Sequence, residues 1–316
     1  KETSPTLRNI FMIQIVRRAK RIIKRHLHEV EHLEFSIRRN EMINHALHSK
    51  ESGITSEALC DVEVIVSLTT FGNRLLEVAP AIESIMQGSM KPNRIMLWLE
   101  EEMKGVTFPI AIRRQQERGL EVFFCKDFRS YKKLIPTLCK YPNAGIITID
   151  DDCVYDYDLV EKLVNAHIRY PKEIIANRMH RIIIGKDGRP VSYMDWEWNA
   201  SPDIEEASHR LFLTGVGGAF YPPNTLHPEV VNDEVFMDIC KYADDVWFNA
   251  MALMMGTKVR KCYTHNFKGE DYVNNEDAQF FALSKINTIR GRCENDAQMN
   301  PRASGCRTCG PRQQGC

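Results

Sequence analysis

No apolar run in this chain approaches the roughly 18 residues that a membrane span requires. The longest candidate near the N-terminus, IFMIQIV, is too short for a span and lacks a small-residue cleavage site. An excess of charge is missing as well. Lys plus Arg and Asp plus Glu stand at 42 each, so the whole-chain balance carries no footprint of nucleic-acid binding, and no such partner is expected. Cysteine is present ten times but without a framework. Cys60, Cys125, Cys139, Cys153, Cys240 and Cys262 stand singly, several in apolar runs, which reads as reduced cytosolic thiols. The phosphate-binding pattern G-x-x-x-x-G-K-[ST] is absent. Beyond Ile289 there is no Ile, Leu, Val, Phe, Tyr or Trp, so residues 286–316 are expected to form a disordered Cys/Arg/Gly tail. Cys293, Cys306, Cys309 and Cys316 in that tail include one C-x-x-C, but their spacing fits no standard zinc finger. A zinc site and an extension foreign to the rest are both open readings. The chain opens on Lys1 rather than Met, from which a start further upstream is expected.

What is there is ample. Hydrophobic residues make up 43% of 316, enough for one large α/β domain or two small ones. Residues 8–28 hold seven Lys or Arg and no acid. Apolar residues recur there with a helical period, from Met12, Ile15 and Val16 through Ile22, Ile23, Leu27, Val30 and Leu33 to Ile37. The spacing predicts a basic amphipathic helix within residues 1–55. It lies on an anionic membrane through residues 8–37, packs on its own domain, or forms a coiled-coil arm.

From residue 62 strands and helices alternate. VEVIVSLTTF, RIMLWLE, LEVFFCKD and AGIITIDDD read as strands; LLEVAPAIESIMQ, IAIRRQQERG, YKKLIPTLCKY and YDLVEKLVNAHIRY read as helices. This predicts an α/β fold with a doubly wound, mainly parallel sheet over residues 56–285, ligands binding at the carboxyl ends of the strands. Asp150, Asp151 and Asp152 stand at one such end, Thr69, Thr70 and Phe71 at another, and Asp127 at a third.

Asp-x-Asp on a strand puts Asp150 and Asp152 on one side, where they can share Mg²⁺ or Mn²⁺ and neutralise a diphosphate. The alternative is an acidic loop capping the next helix. Phosphatases that use Asp-x-Asp after a strand place it on their first strand; here it ends the fourth. The Gly-rich signature of nucleotidyltransferases is missing from the first strand.

IVSLTTFGNR, IMLWLE, FCKDFRSYKK, IITIDDD, TGVGGAFYPP and YADDVW, in that order, resemble bacterial GT-A-fold glycosyltransferases related to inverting family 2, the capsule and lipopolysaccharide type. The resemblance covers residues 62–262. It implies a Rossmann-like nucleotide-binding half followed by an acceptor half. It also implies a UDP-sugar donor, a glycan or lipid-linked acceptor, and work on the cytoplasmic side of the membrane. Asp152 would be the foremost metal ligand, with Asp150 facing the ribose or the metal and Asp151 beside them. The strand end Thr69-Thr70-Phe71-Gly72-Asn73-Arg74 stands where relatives carry Pro-Thr-Tyr-Asn, with Thr69, Thr70, Phe71 and Arg74 placed at the nucleotide, and Phe71 is either a stacking face or core. Asp127 would accept from a pyrimidine N3–H, and one of Arg129, Lys132 and Lys133 would meet phosphate, Lys132 being the choice. Gly217 and Gly218, with Gly215, would lie under donor sugar and acceptor. Tyr193, Trp196 and Trp198 either stack on a sugar or tuck into the core. Asp244 matches the family's Glu and Asp245 its catalytic Asp, the general base. A metal-dependent phosphohydrolase or nucleotidyltransferase, or a silent glycan- or membrane-binding module, are the competing readings.

Overall fold

The computed structural model of the protein describes residues 5–200, 206–264 and 271–274; for residues 5–17, 24 and 28 it describes the backbone. The tail cysteines, and residues 286–316 as a whole, lie outside the described residues.

A long helix, α1 (Pro5–His48), precedes the sheet. Four strands and three helices then alternate: β1 (Val64–Thr69), α2 (Ala79–Met86), β2 (Arg94–Glu100), α3 (Ile110–Gln116), β3 (Leu120–Cys125), α4 (Ile135–Lys140) and β4 (Gly145–Thr148). The stretch YKKLIPTLCKY is broken where a single helix is expected. A 3-10 turn over Arg129–Lys133 stops at Leu134, and α4 restarts with Pro136 in its first turn. Proline is tolerated there because its missing N–H has no intrahelical partner to lose.

The second half supplies β5 (Cys153–Tyr155), α5 (Leu159–Arg169), β6 (Ile174–Ala176), β7 (Met179–Arg181), β8 (Leu211–Leu213), β9 (Ala219–Tyr221), α6 (Asp233–Ile239), α7 (Asp244–Met255), β10 (Val259–Lys261) and β11 (Tyr272–Asn274). Seven strands form the main sheet in the order β10-β6-β9-β4-β1-β2-β3. Pairs β1–β2, β1–β4, β2–β3 and β6–β10 are parallel, whereas β9 runs antiparallel between β4 and β6. The fold is thus α/β, Rossmann-like and mainly parallel, with one reversed strand.

β1 shows why the centre lies where it does. Val64, Ile65, Val66, Ser67 and Leu68 are all buried, as a strand covered on both faces demands. On one side Val64, Val66 and Leu68 join Ile147, Phe220 and the apolar sides of α2 and α5. On the other, Ile146, Ala219 and Tyr221 meet Phe236, Trp247 and Phe248 of α6 and α7. After β1 the chain steps through β2 to β3, then returns to place β4 on β1's other flank. That reversal opens a crevice at the carboxyl ends of β1 and β4. The N-terminal residue of β9, Ala219, pairs with Thr148 of β4, so the preceding glycine turn hangs over the same crevice.

Candidate active site

β4 stops at Thr148, and Asp151 and Asp152 already stand in a turn, so the alternation of a strand does not govern the triplet. The three carboxylates part company. Asp150 Oδ1 accepts from Lys133 Nζ at 2.8 Å. Asp151 pairs with Arg74 and accepts from the Thr70 hydroxyl, while Asp152 Oδ2 lies 2.9 Å from the same Arg74 Nη2. Burial, opposed by Arg74 and aided by Asp152, pushes the Asp151 carboxyl up to about 7. Burial and then Asp150 raise Asp152 as well.

Facing the triplet is the first turn of α7. Asp244 Oδ1 accepts from Ser130 Oγ at 2.9 Å, and its Oδ2 stands 3.1 Å from Lys133 Nζ. Asp245 Oδ1 accepts from the Gly215 N–H at 3.0 Å. Burial first, then Asp244, push Asp245 up to about 7. Lys133 is therefore the hub between the two acidic groups. Burial alone would lower its pKa, but Asp150, Asp244 and Asp245 together hold it well above the ordinary lysine value.

The glycines have a steric reason. A Cβ on Gly215 would come within 2.6 Å of Lys133 Nζ, and one on Gly217 within 2.9 Å of the Arg178 backbone nitrogen. At Gly217 the neighbour is backbone and cannot give, whereas at Gly215 it is the tip of Lys133, which would have to shift from its carboxylate partners. Tyr155 ties the floor together. Its hydroxyl accepts from the Asp150 N–H at 2.8 Å and donates to the Val216 carbonyl at 2.9 Å. Sequence reasoning passed over Tyr155 and chose Lys132 ahead of Lys133. A tyrosine closely following the triplet was the available signal for the first; the turn aims Lys132 at Asp127 and Lys133 at Asp150 and Asp244, a division the sequence does not display.

The other expected residues sort by direction. Thr69 Oγ1 turns away to the Trp98 carbonyl at 2.8 Å. Phe71 is half exposed, with the Arg74 guanidinium 5.4 Å from its ring centre, so it is not core. Lys132 is buried against Asp127, and the Arg129 N–H meets the same Oδ1 at 2.8 Å; against burial, the two hold Asp127 below the usual carboxylate range. Gly218 takes a left-handed φ of 85° just ahead of β9. Tyr193 and Trp198 are each 44% exposed and pack with His180 beside the antiparallel β7–β8 pair, rather than entering the main core. Burial, then Arg178, hold His180 down at about 4, neutral at pH 7, and its Nδ1 accepts from the Asn199 N–H.

Five carboxylates thus face two cations, Arg74 and Lys133, in one crevice. That excess of hard oxygen donors fits a divalent cation better than it fits any softer metal. Among the described residues, the one trio with convergent metal-ligand atoms lies elsewhere, at Cys60, Asp61 and His167. There His167 Nε2 is 3.0 Å from Asp61 Oδ1, and its ring stacks on Phe220, a packing role.

Compared as a sequence, the chain matches no family model and no curated protein. Among solved structures, it is similar to 4-diphosphocytidyl-2C-methyl-D-erythritol synthase from Anaerococcus prevotii. That similarity has a TM-score of 0.43 and 12% identity, covering 73% of this chain and 100% of that one. It is also similar to CMP:2-keto-3-deoxy-manno-octonic acid synthetase complexed with CTP. The TM-score is 0.41 and the identity 11%, covering 72% of this chain and 98% of that one. At these values the likeness concerns the course of the chain alone.

Proposed function

We propose that this chain is an enzyme of the GT-A kind that transfers a sugar from a nucleoside-diphospho sugar, UDP-linked in the first instance, to a glycan or lipid-linked acceptor. One observation carries the reading: a carboxylate-rich crevice at the β1–β4 reversal, with a separate carboxylate, Asp245, facing it from α7. Asp150 and Asp152 would hold Mn²⁺ or Mg²⁺, which supplies the positive charge that lets a nucleoside diphosphate leave. Arg74 and Lys133 would meet phosphate oxygens as they exchange carboxylate partners for the donor. Phe71 offers a stacking face, and the Asp127 Oδ2, opposite its two contacts on Oδ1, an acceptor for a pyrimidine N3–H. Tyr193 and Trp198 would line the acceptor side. Asp245, poised near 7, would take the acceptor hydroxyl's proton and give inversion.

A second reading, nucleotidyl transfer from a nucleoside triphosphate, draws on the same two cations, which suit a triphosphate equally. Products separate the two. Incubation with UDP-sugars and Mn²⁺ should release UDP in a sugar-dependent way. Pyrophosphate release from CTP or UTP, with no UDP release from any nucleotide sugar, would replace the first reading with the second. In the same assay system Asp152→Ala should abolish Mn²⁺-dependent UDP binding while the apo protein melts no lower. Tight, metal-dependent UDP binding by that variant, measured by calorimetry, would remove Asp152 from the metal.

A further inference from the structure

The helix α1 carries an apolar stripe that its own domain leaves uncovered. Ile22, Ile23, Leu27, Val30, Leu33 and Ile37 are each between 43% and 61% exposed. At about 100° per residue they fall within an arc of roughly 140°. The residues that seat α1 on the domain occupy the opposite side. Phe35 and Ala46 are buried, Arg38 donates to Asp156 Oδ1 at 2.7 Å and to the Tyr155 carbonyl at 2.8 Å, and Arg39 pairs with Glu77. These four centre about 150° from the stripe. Packing on its own domain therefore uses one face and leaves the other pointing outward.

Charge identifies what that face meets. Arg18, Lys20, Arg21 and Arg25 are exposed, and the seven cations of residues 8–28 have no acid among them. Arg18 and Lys20 border the stripe on its two sides. Glu29, Glu31 and Glu34 lie C-terminal to the run, Glu34 within the arc of the stripe itself, and Glu29 stands 3.5 Å from Arg25. A second copy docked in parallel would set Arg18, Lys20, Arg21 and Arg25 against their own counterparts. A plane of anionic headgroups over hydrocarbon answers both the stripe and its flanking cations. Among the described residues no helix is long and apolar enough to cross a membrane, so the geometry is that of a helix lying in the surface. We infer that residues 18–37 dock the protein on an anionic lipid surface, independently of what the crevice catalyses.

The test is co-sedimentation of the full chain with vesicles rich in phosphatidylglycerol, against vesicles of phosphatidylcholine alone. Partitioning should be at least tenfold higher on the anionic vesicles and should fall with salt. Replacing Arg18, Lys20, Arg21 and Arg25 by Gln should cut it by tenfold or more, since each cation at an anionic surface contributes about fivefold. Ile23→Gln with Leu27→Gln should also release the protein, with the thermal midpoint unchanged in both variants. Equal partitioning on the two vesicle types, or partitioning untouched by either variant, overturns the inference. So does a large fall in the midpoint, which would mean that the stripe is packed within the protein. A dimer by light scattering that Ile23→Gln/Leu27→Gln converts to monomer, with weak vesicle binding throughout, would make the stripe a helix–helix seam instead.

Discussion

Asp244 and Asp245 are adjacent in sequence but differ in occupation. Asp244 is held by Ser130 and Lys133, and shares that lysine with Asp150 of the triplet. Asp245 makes its bond to a backbone N–H, and its proton affinity is raised by burial and by Asp244. As the general base proposed above, Asp245 must be ionised, so turnover should climb with pH through about 7 and level off above it. The stability effect has the opposite sign. The folded state holds this proton more tightly than the unfolded chain, so the contribution is full below the ordinary carboxylate range and is lost as pH rises through about 7. Asp245→Asn should lower turnover by roughly a hundredfold or more and leave UDP-sugar affinity near the parent's. It should also flatten the pH dependence of the urea midpoint. Parent-like turnover, or the same loss confined to Asp244→Asn, would transfer the role to Asp244. The pair stood out in the sequence because YADDVW resembles a motif; which partners each carboxylate takes was not legible, because a change of about 100° in direction leaves no trace in composition.

At the scale of elements, α2 is locked to the turn that follows α3 by a buried ion pair. Glu83 is wholly buried and accepts two bonds from Arg118 Nη1, at 2.9 and 3.0 Å, and one from Gln115 Nε2 at 3.0 Å. Removing one partner of such a pair leaves an uncompensated buried charge. Glu83→Ala should therefore cost about 3–5 kcal/mol in urea unfolding, whereas Glu83→Leu combined with Arg118→Met should cost much less. Equal losses from both would show that packing rather than charge sets the value. The loss should reach the crevice too, since Ser84 of α2 accepts from the Tyr155 N–H at 3.1 Å and Tyr155 holds Asp150. The parallel half of the sheet was readable from the apolar runs in β1, β2 and β4, β-branched in β1 and β4, whose burial is nearly continuous. The direction of β9 was not. Its three residues, Ala219–Tyr221, are too few for a period, and their antiparallel setting depends on pairing partners far away in sequence.

For the whole molecule, that reversed strand has a consequence in time. β4 is complete at Thr148, but its second neighbour, β9, begins only at Ala219. As the chain leaves the ribosome, β4 waits with one edge bare while some seventy further residues are made, at ~5–20 residues per second. β6 arrives earlier, yet it too bonds to β9 and cannot settle in the main sheet before it. An unpaired, flat, apolar edge in the middle of a nascent sheet invites pairing with other chains. A fragment ending at residue 200 should accordingly aggregate. Supplying residues 206–264 in trans should not rescue it efficiently, because the insertion must occur between two strands rather than at a border. If that fragment instead stayed monomeric in sedimentation and gave cooperative unfolding, β9 would be closing a sheet already formed. Synthesis of the last central strand would then be the moment at which the crevice acquires its roof, not the moment at which the protein acquires its core.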